Sequence, residues 1–178
     1  AYTFNYDFEN ANKWLLFYEN SEIKNNLTDE FNSTKLLYNL YNYESTKDVA
    51  VILSDSLEFI SKNFDENNTT NNTFKYEVLN LIFSIYKIGN ENLIPHGNKI
   101  LDERLMPSMF IINKIKEAYT NQNYPELILL ATASINEKKW NEIHPEHLSI
   151  ILNSLKDYDD GKFLNSILLE ILKQSQII

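Results

Sequence analysis

The sequence predicts an all-α fold of eight or nine helices, built as stacked antiparallel helix pairs in an α-solenoid or TPR-like arrangement. Three observations lead there. The 178 residues include only three glycines and four prolines, too few for the tight turns that a hairpin-rich β fold requires. Apolar residues recur every three or four positions along most of the chain, the period of a helix with one buried face. Successive helix pairs fall roughly 40 residues apart, a spacing typical of helical repeats, although no side-chain signature recurs with them. The length suits one domain, 1–178, able to bury a core without covalent staples.

The elements follow in order. Residues 8–19, "FENANKWLLFYE", place Phe8, Ala11, Trp14, Leu15 and Tyr18 at helical spacing. Residues 29–43 repeat the pattern with Leu36, Leu37, Leu40 and Tyr41, behind a cap at Thr28 or Asp29. Ser45-Thr46-Lys47-Asp48 has the form of a capping box and opens a stripe from Val49 to Phe64. The asparagine-rich stretch 63–73 is read as a flexible loop. Residues 73–88 are apolar on most sides, which predicts a helix buried on several of them, with Gly89 as its stop.

A helix over 98–120 comes next, kinked or split by Pro107. Pro125 opens another at a first-turn position. Its "ELILLATASI" is apolar nearly all round, which predicts a central helix. The last two helices carry clean stripes, Leu148 to Leu155 and Phe163 to Leu172, joined by "DYDDG". Asp159 or Asp160 is the expected cap of the second.

Composition excludes several classes of function. The net charge is −9 and there is one arginine, Arg104. Nucleic acid and anionic membrane surfaces are therefore poor partners. With no cysteine, disulfides, zinc–thiolate centres and thiol nucleophiles are out. No apolar run approaches the roughly 20 residues that span a bilayer. Heavy use of Asn, Ile, Lys, Tyr and Phe, with little Ala or Arg, is the mark of an AT-rich genome. The compartment stays open between cytoplasm and periplasm.

The strongest hint of chemistry is "NEIHPEHLSII", 141–151, with two of the three histidines. His144 and His147 could form a metal pair with Glu142 or Glu146. Yet Pro145 belongs at a first helical position, so His144 reads as a cap and Glu146 as a first-turn acid facing the helix dipole. The spacing also matches neither H-E-x-x-H nor H-x-x-E-H. His96, beside Gly97, reads as a loop residue. The acidic stretches starting at Asp65 and Asp157 both miss the glycine and glutamate positions of an EF-hand.

An all-α hydrolase of the peptidoglycan glycosidase type would need one buried acidic glutamate. Glu77 and Glu170, nearest apolar runs, are the first candidates. Phosphate loops and nucleophile elbows are missing from the sequence. No catalytic, cofactor-binding or metal-binding set is therefore assigned, and no cofactor is expected.

Aromatics make up 13% of the chain. Tyr2, Phe4 and Tyr6 alternate in an N-terminal segment, 1–7, suited to docking. Tyr38, Tyr41 and Tyr43 crowd one helix end. Tyrosine is enriched at protein interfaces, so these six are the expected protein-binding residues.

Residues 123–172 resemble the C-terminal helical-repeat domain of uncharacterised alphaproteobacterial proteins. The resemblance is carried by Leu129 and Leu130 in an apolar helix, Pro145, Leu148 and Leu155 in the next, and Gly161 and Glu170 in the last. Phe163 departs from it, standing where that family has small residues. It implies a helical-repeat domain and export to the periplasm, and no activity. The expected function is a protein–protein interaction scaffold, part of a larger chain or assembly, whose partner is another protein or another part of that chain.

Overall fold

The computed structural model describes residues 7–21, 28–42, 51–52, 54, 58, 69–88, 103–158 and 162–177. Among them are seven α-helices and no β-strand. We label them α1 (Phe8–Glu19), α2 (Thr28–Tyr41), α3 (Thr69–Ile85), α4 (Met109–Thr120), α5 (Tyr124–Ile135), α6 (Pro145–Leu155) and α7 (Lys162–Gln174). A 3-10 turn, Trp140–Glu142, precedes α6. Val51, Ile52, Ser54 and Glu58 are also helical. The fold is all-α, and no described helix is long and apolar enough to cross a membrane.

Local chemistry sets the helix starts. Asp7 caps α1, its carboxylate accepting from the Asn10 N–H at 3.2 Å. Asn123 caps α5 by accepting from the Glu126 N–H and donating its side-chain amide to the Glu126 carboxylate at 2.7 Å. Pro125 follows in the first turn, where its missing N–H costs nothing.

The helix ends are less expected. α3, α4 and α7 each stop with a left-handed residue, Lys87, Gln122 and Gln176, at φ 55°, 54° and 54°. Each shows the paired bonds of a Schellman motif. In α3, Ile88 N–H donates to the Phe83 carbonyl at 2.8 Å and Lys87 N–H to that of Ser84 at 3.2 Å. The same pattern links Asn123 to Ala118 and Ile177 to Leu172. The stop of α3 thus falls on Lys87 rather than on Gly89, which lies outside the described residues.

Two clusters form the core, and α6 belongs to both. Leu148 and Leu152 face the larger one, with Leu36 and Leu40 of α2, the buried face of α3, and Leu168 and Ile171 of α7. Ile151 and Leu155, on the adjoining side of the same helix, face the smaller one, with Ile115 of α4 and Leu127 of α5. α6 accordingly packs against α3, α4 and α7, while α4 packs against α5 and α1 against α2.

Several expectations need correction. Of the helix expected over 98–120, the described part runs from Met109, with Ser108 as its cap and Pro107 outside it; 98–102 lie outside the described residues. Residues 103–108 are not helical, and Leu105 forms a parallel bridge with Ile143. α3 starts at Thr69, inside the stretch read as a loop, and Asn72 there is buried; 63–68 lie outside the described residues. Trp14 was expected in the buried stripe of α1, yet it is 59% exposed. Phe8, Ala11, Leu15 and Tyr18 alone turn inward. α3 is buried on several sides, as its composition predicts. α5 is not central: Leu129, on its outer face, is 69% exposed.

Candidate functional site

The α4–α5 hairpin presents the most unusual surface among the described residues. α5 carries a single charged residue, Glu126, in its whole length. Its inward stripe is Leu127, Ala131 and Ser134. Its outer face is Pro125, Glu126, Leu129, Thr132 and Ala133, all exposed. At the start of α4, Met109 and Phe110 are 66% and 70% exposed. Single exposed apolar side chains are ordinary; an outer helix face with one charge, in its first turn, is not. A second exposed pair, Trp14 and Phe17 on α1, meets edge to face at 5.8 Å.

Behind α5 sits the histidine pair. His144 caps α6 as its sequence predicts: Nδ1 accepts from the Glu146 N–H at 3.2 Å. Its own N–H donates to the Leu105 carbonyl at 3.1 Å, while Leu105 N–H donates to the Glu142 carbonyl at 3.0 Å. This bridge straps 103–108 across the start of α6. Arg104 secures the strap. Its Nε donates to the Asn141 carbonyl at 2.9 Å and its guanidinium lies 4.0 Å from the centre of the Phe74 ring.

His147, one turn further, is fully buried, with Nε2 at 2.9 Å from Ser134 Oγ on α5. Ser134 donates its hydroxyl proton to the Ala131 carbonyl at 2.7 Å. The imidazole N–H is therefore assigned to Nε2, donating to the serine oxygen. Nδ1 has no hydrogen-bond partner. Burial holds the ring below the ordinary imidazole pKa; the nearby Leu105 carbonyl pulls upward, and His144 adds to the lowering.

A serine beside a histidine invites comparison with a nucleophile and its base. Here Ser134 lies within a helix, its proton committed and its side chain buried. No acid orients the imidazole, and neither side chain meets solvent. The contact is a clasp between α5 and α6. Nor do the two histidines converge: one ring caps a helix end and the other points at α5. No three His, Asp or Glu side chains among the described residues gather to hold a metal ion.

No protein-family model, curated protein or solved structure matches this chain.

Of the six residues expected to bind a protein, Tyr38 and Tyr41 are described. Tyr41 is buried, and its hydroxyl donates to the Asn165 carbonyl of α7 at 2.8 Å. Tyr38 is half-buried with its ring edge-on to Phe8 of α1 at 6.0 Å, and its hydroxyl accepts from Asn42. Both bind helices of this chain together. Tyr2, Phe4, Tyr6 and Tyr43 lie outside the described residues, as does His96.

The two glutamates singled out for hydrolysis stand apart. Glu170 is exposed on α7, and Glu77 of α3 is half-buried and engaged in an interaction. The buried polar side chains among the described residues include Lys75, Ser134, His147 and Asn165 but no carboxylate. The exposed surface of α5 and the Ser134–His147 contact both escaped sequence reasoning. The first had a signal, the near absence of charge in α5, that pointed equally to a central helix. The second had none, since the residues are thirteen apart on different helices.

Proposed function

We propose that this chain is a protein-binding helical scaffold, part of a larger chain or assembly, that receives its partner on the outer face of α5. The observation that carries the reading is the exposure of Leu129, at 69%, on a helix with one charged residue. A face of that composition is normally covered. Met109 and Phe110 on the paired helix add exposed apolar surface, and methionine suits surfaces that adapt to a partner.

The packing of α4 against α5 and of α6 against α4 supports an α-solenoid or TPR-like architecture. In such arrays an end helix needs a polar outer side unless another unit stacks on it. α5 lacks that polar side. The resemblance of 123–172 to helical-repeat proteins agrees. The single arginine is committed to Phe74 and Asn141, which leaves no second guanidinium for a phosphate clamp.

The test is co-purification from the native source, comparing the unaltered chain with Leu129→Glu and with Thr120→Glu as an exposed control. Glutamate is a good helix former, and exposed substitutions rarely shift stability by more than about 0.5 kcal/mol. Melting should stay constant throughout. The partner should be lost with Leu129→Glu and kept with the control. Recovery of the chain alone, or of the same partner with both variants, would overturn the proposal.

A further inference from the structure

We propose that His147, in the first turn of α6, is a proton-operated clasp: proton uptake there releases α5 from the helix that both core clusters share. The inference is independent of the binding role proposed above.

The geometry gives His147 a task that only the neutral ring performs. Beside it, His144 caps α6, its Nδ1 accepting from the Glu146 N–H. His147 is enclosed between α5 and α6 with its Nε2–H on Ser134. When charged, both ring nitrogens must donate. The Leu105 carbonyl favours the charged ring, but burial outweighs it.

Among the described residues, no carboxylate compensates the charge. The groups acting on His147 are the Leu105 carbonyl and His144. On α6 itself, Glu146 is exposed. On the strap, Glu103 is exposed and Arg104 is turned to Asn141 and Phe74. In the 3-10 turn, Glu142 is exposed and accepts from the Lys139 N–H. On α5, Glu126 is held by Asn123, and Tyr124 packs on Tyr158. On α4, Lys114 pairs with Glu117, Lys116 is exposed, and Tyr119 donates to Asp157. On α3, Lys75 is buried, and both it and Glu77 are engaged. On α7, Lys162, Glu170 and Lys173 are exposed.

The direction of the pH effect follows. An unfolded imidazole takes its proton near pH 6.5, whereas burial holds folded His147 below its ordinary value. Above that window neither state is protonated and stability is complete. As pH falls through it, the unfolded chain binds the proton first, so stability is lost. Each proton so linked raises the opening constant by up to about tenfold per pH unit. Free carboxylates titrate near pH 4, so the interval from about pH 7 to 5 reports the imidazoles.

The experiment uses the full chain with His96→Gln and His144→Asn, so that His147 is the one histidine left; asparagine keeps a cap acceptor. Urea unfolding and amide exchange are followed from pH 8 to 5, and the imidazole resonances are titrated by NMR. The midpoint should fall below about pH 6.5, and α5 and α6 amides should lose protection before those of α7. His147 should titrate below the ordinary imidazole value. Adding His147→Gln should abolish the slope. Flat stability from pH 8 to 5 with His147 in place would overturn the proposal. So would folded His147 titrating at or above the ordinary value, a reading that holds even if the His147→Gln variant fails to fold.

Discussion

Replacing three helix-end residues by glycine should stabilise this protein. Lys87, Gln122 and Gln176 hold left-handed backbone at the ends of α3, α4 and α7, a conformation that costs a residue with a Cβ roughly 1–2 kcal/mol. All three side chains are exposed, so glycine sacrifices little packing. It does add entropy to the unfolded chain, worth about 0.4–1 kcal/mol against the folded state. The net gain is about 0.5–1 kcal/mol per site. The sites terminate different helices, so their effects should nearly add. The triple variant should gain about 2 kcal/mol, or roughly 4–8 °C in melting temperature for a domain of this size. Calorimetry or urea titration reads it directly. Asn136, left-handed at φ 51° after α5, is the internal control: asparagine tolerates this region, so Asn136→Gly should gain less. Lys116→Gly, on the exposed side of α4, should lose about 1 kcal/mol. A triple variant no more stable than the parent would refute the assignment of strain to these ends.

Other outcomes follow from single contacts. Arg104→Lys loses the planar fork that both donates to Asn141 and lies on Phe74; urea midpoints should show a loss of about 1–2 kcal/mol. Lys75→Ala removes the stem of a lysine only 2% exposed, three methylenes at about 0.8 kcal/mol each, and strips its partner of a mate. A loss of about 3 kcal/mol or more is expected in the same assay, and a neutral result would show the side chain to be dispensable to the core.

Much of the fold was legible because its signals are local. The bounds of α1, the asparagine cap and first-turn proline of α5, and His144 as the cap of α6 all rest on neighbours within one turn. Segments whose fate is decided by distant residues were not legible. Residues 103–108 look helical by period, but their backbone pairs with Ile143, some forty residues on, and Pro107 with Ser108 delays α4. α3 ends on Lys87 rather than on a glycine because its Schellman bonds bring Ile88, 2% exposed, into the core beside buried Phe83. That burial sets the stop, and glycine is dispensable to it.

The same reasoning separates the two exposed apolar surfaces. On α1, Trp14 and Phe17 share the outer side with Glu9, Lys13 and Glu19, so water is well served by their neighbours and the helix needs no cover. On α5 the outer side offers water only Thr132 and the first-turn Glu126 beside Leu129, Pro125 and Ala133. Periodicity could not reveal this. An all-round apolar helix announces that every side should be covered, without saying whether by its own chain or by another. Structure supplies the missing half: α4 and α6 cover α5 on one side only. What a sequence reader takes for a central helix is then a helix whose second side is open among the described residues, and that contrast with α1 is why the binding role is proposed for α5.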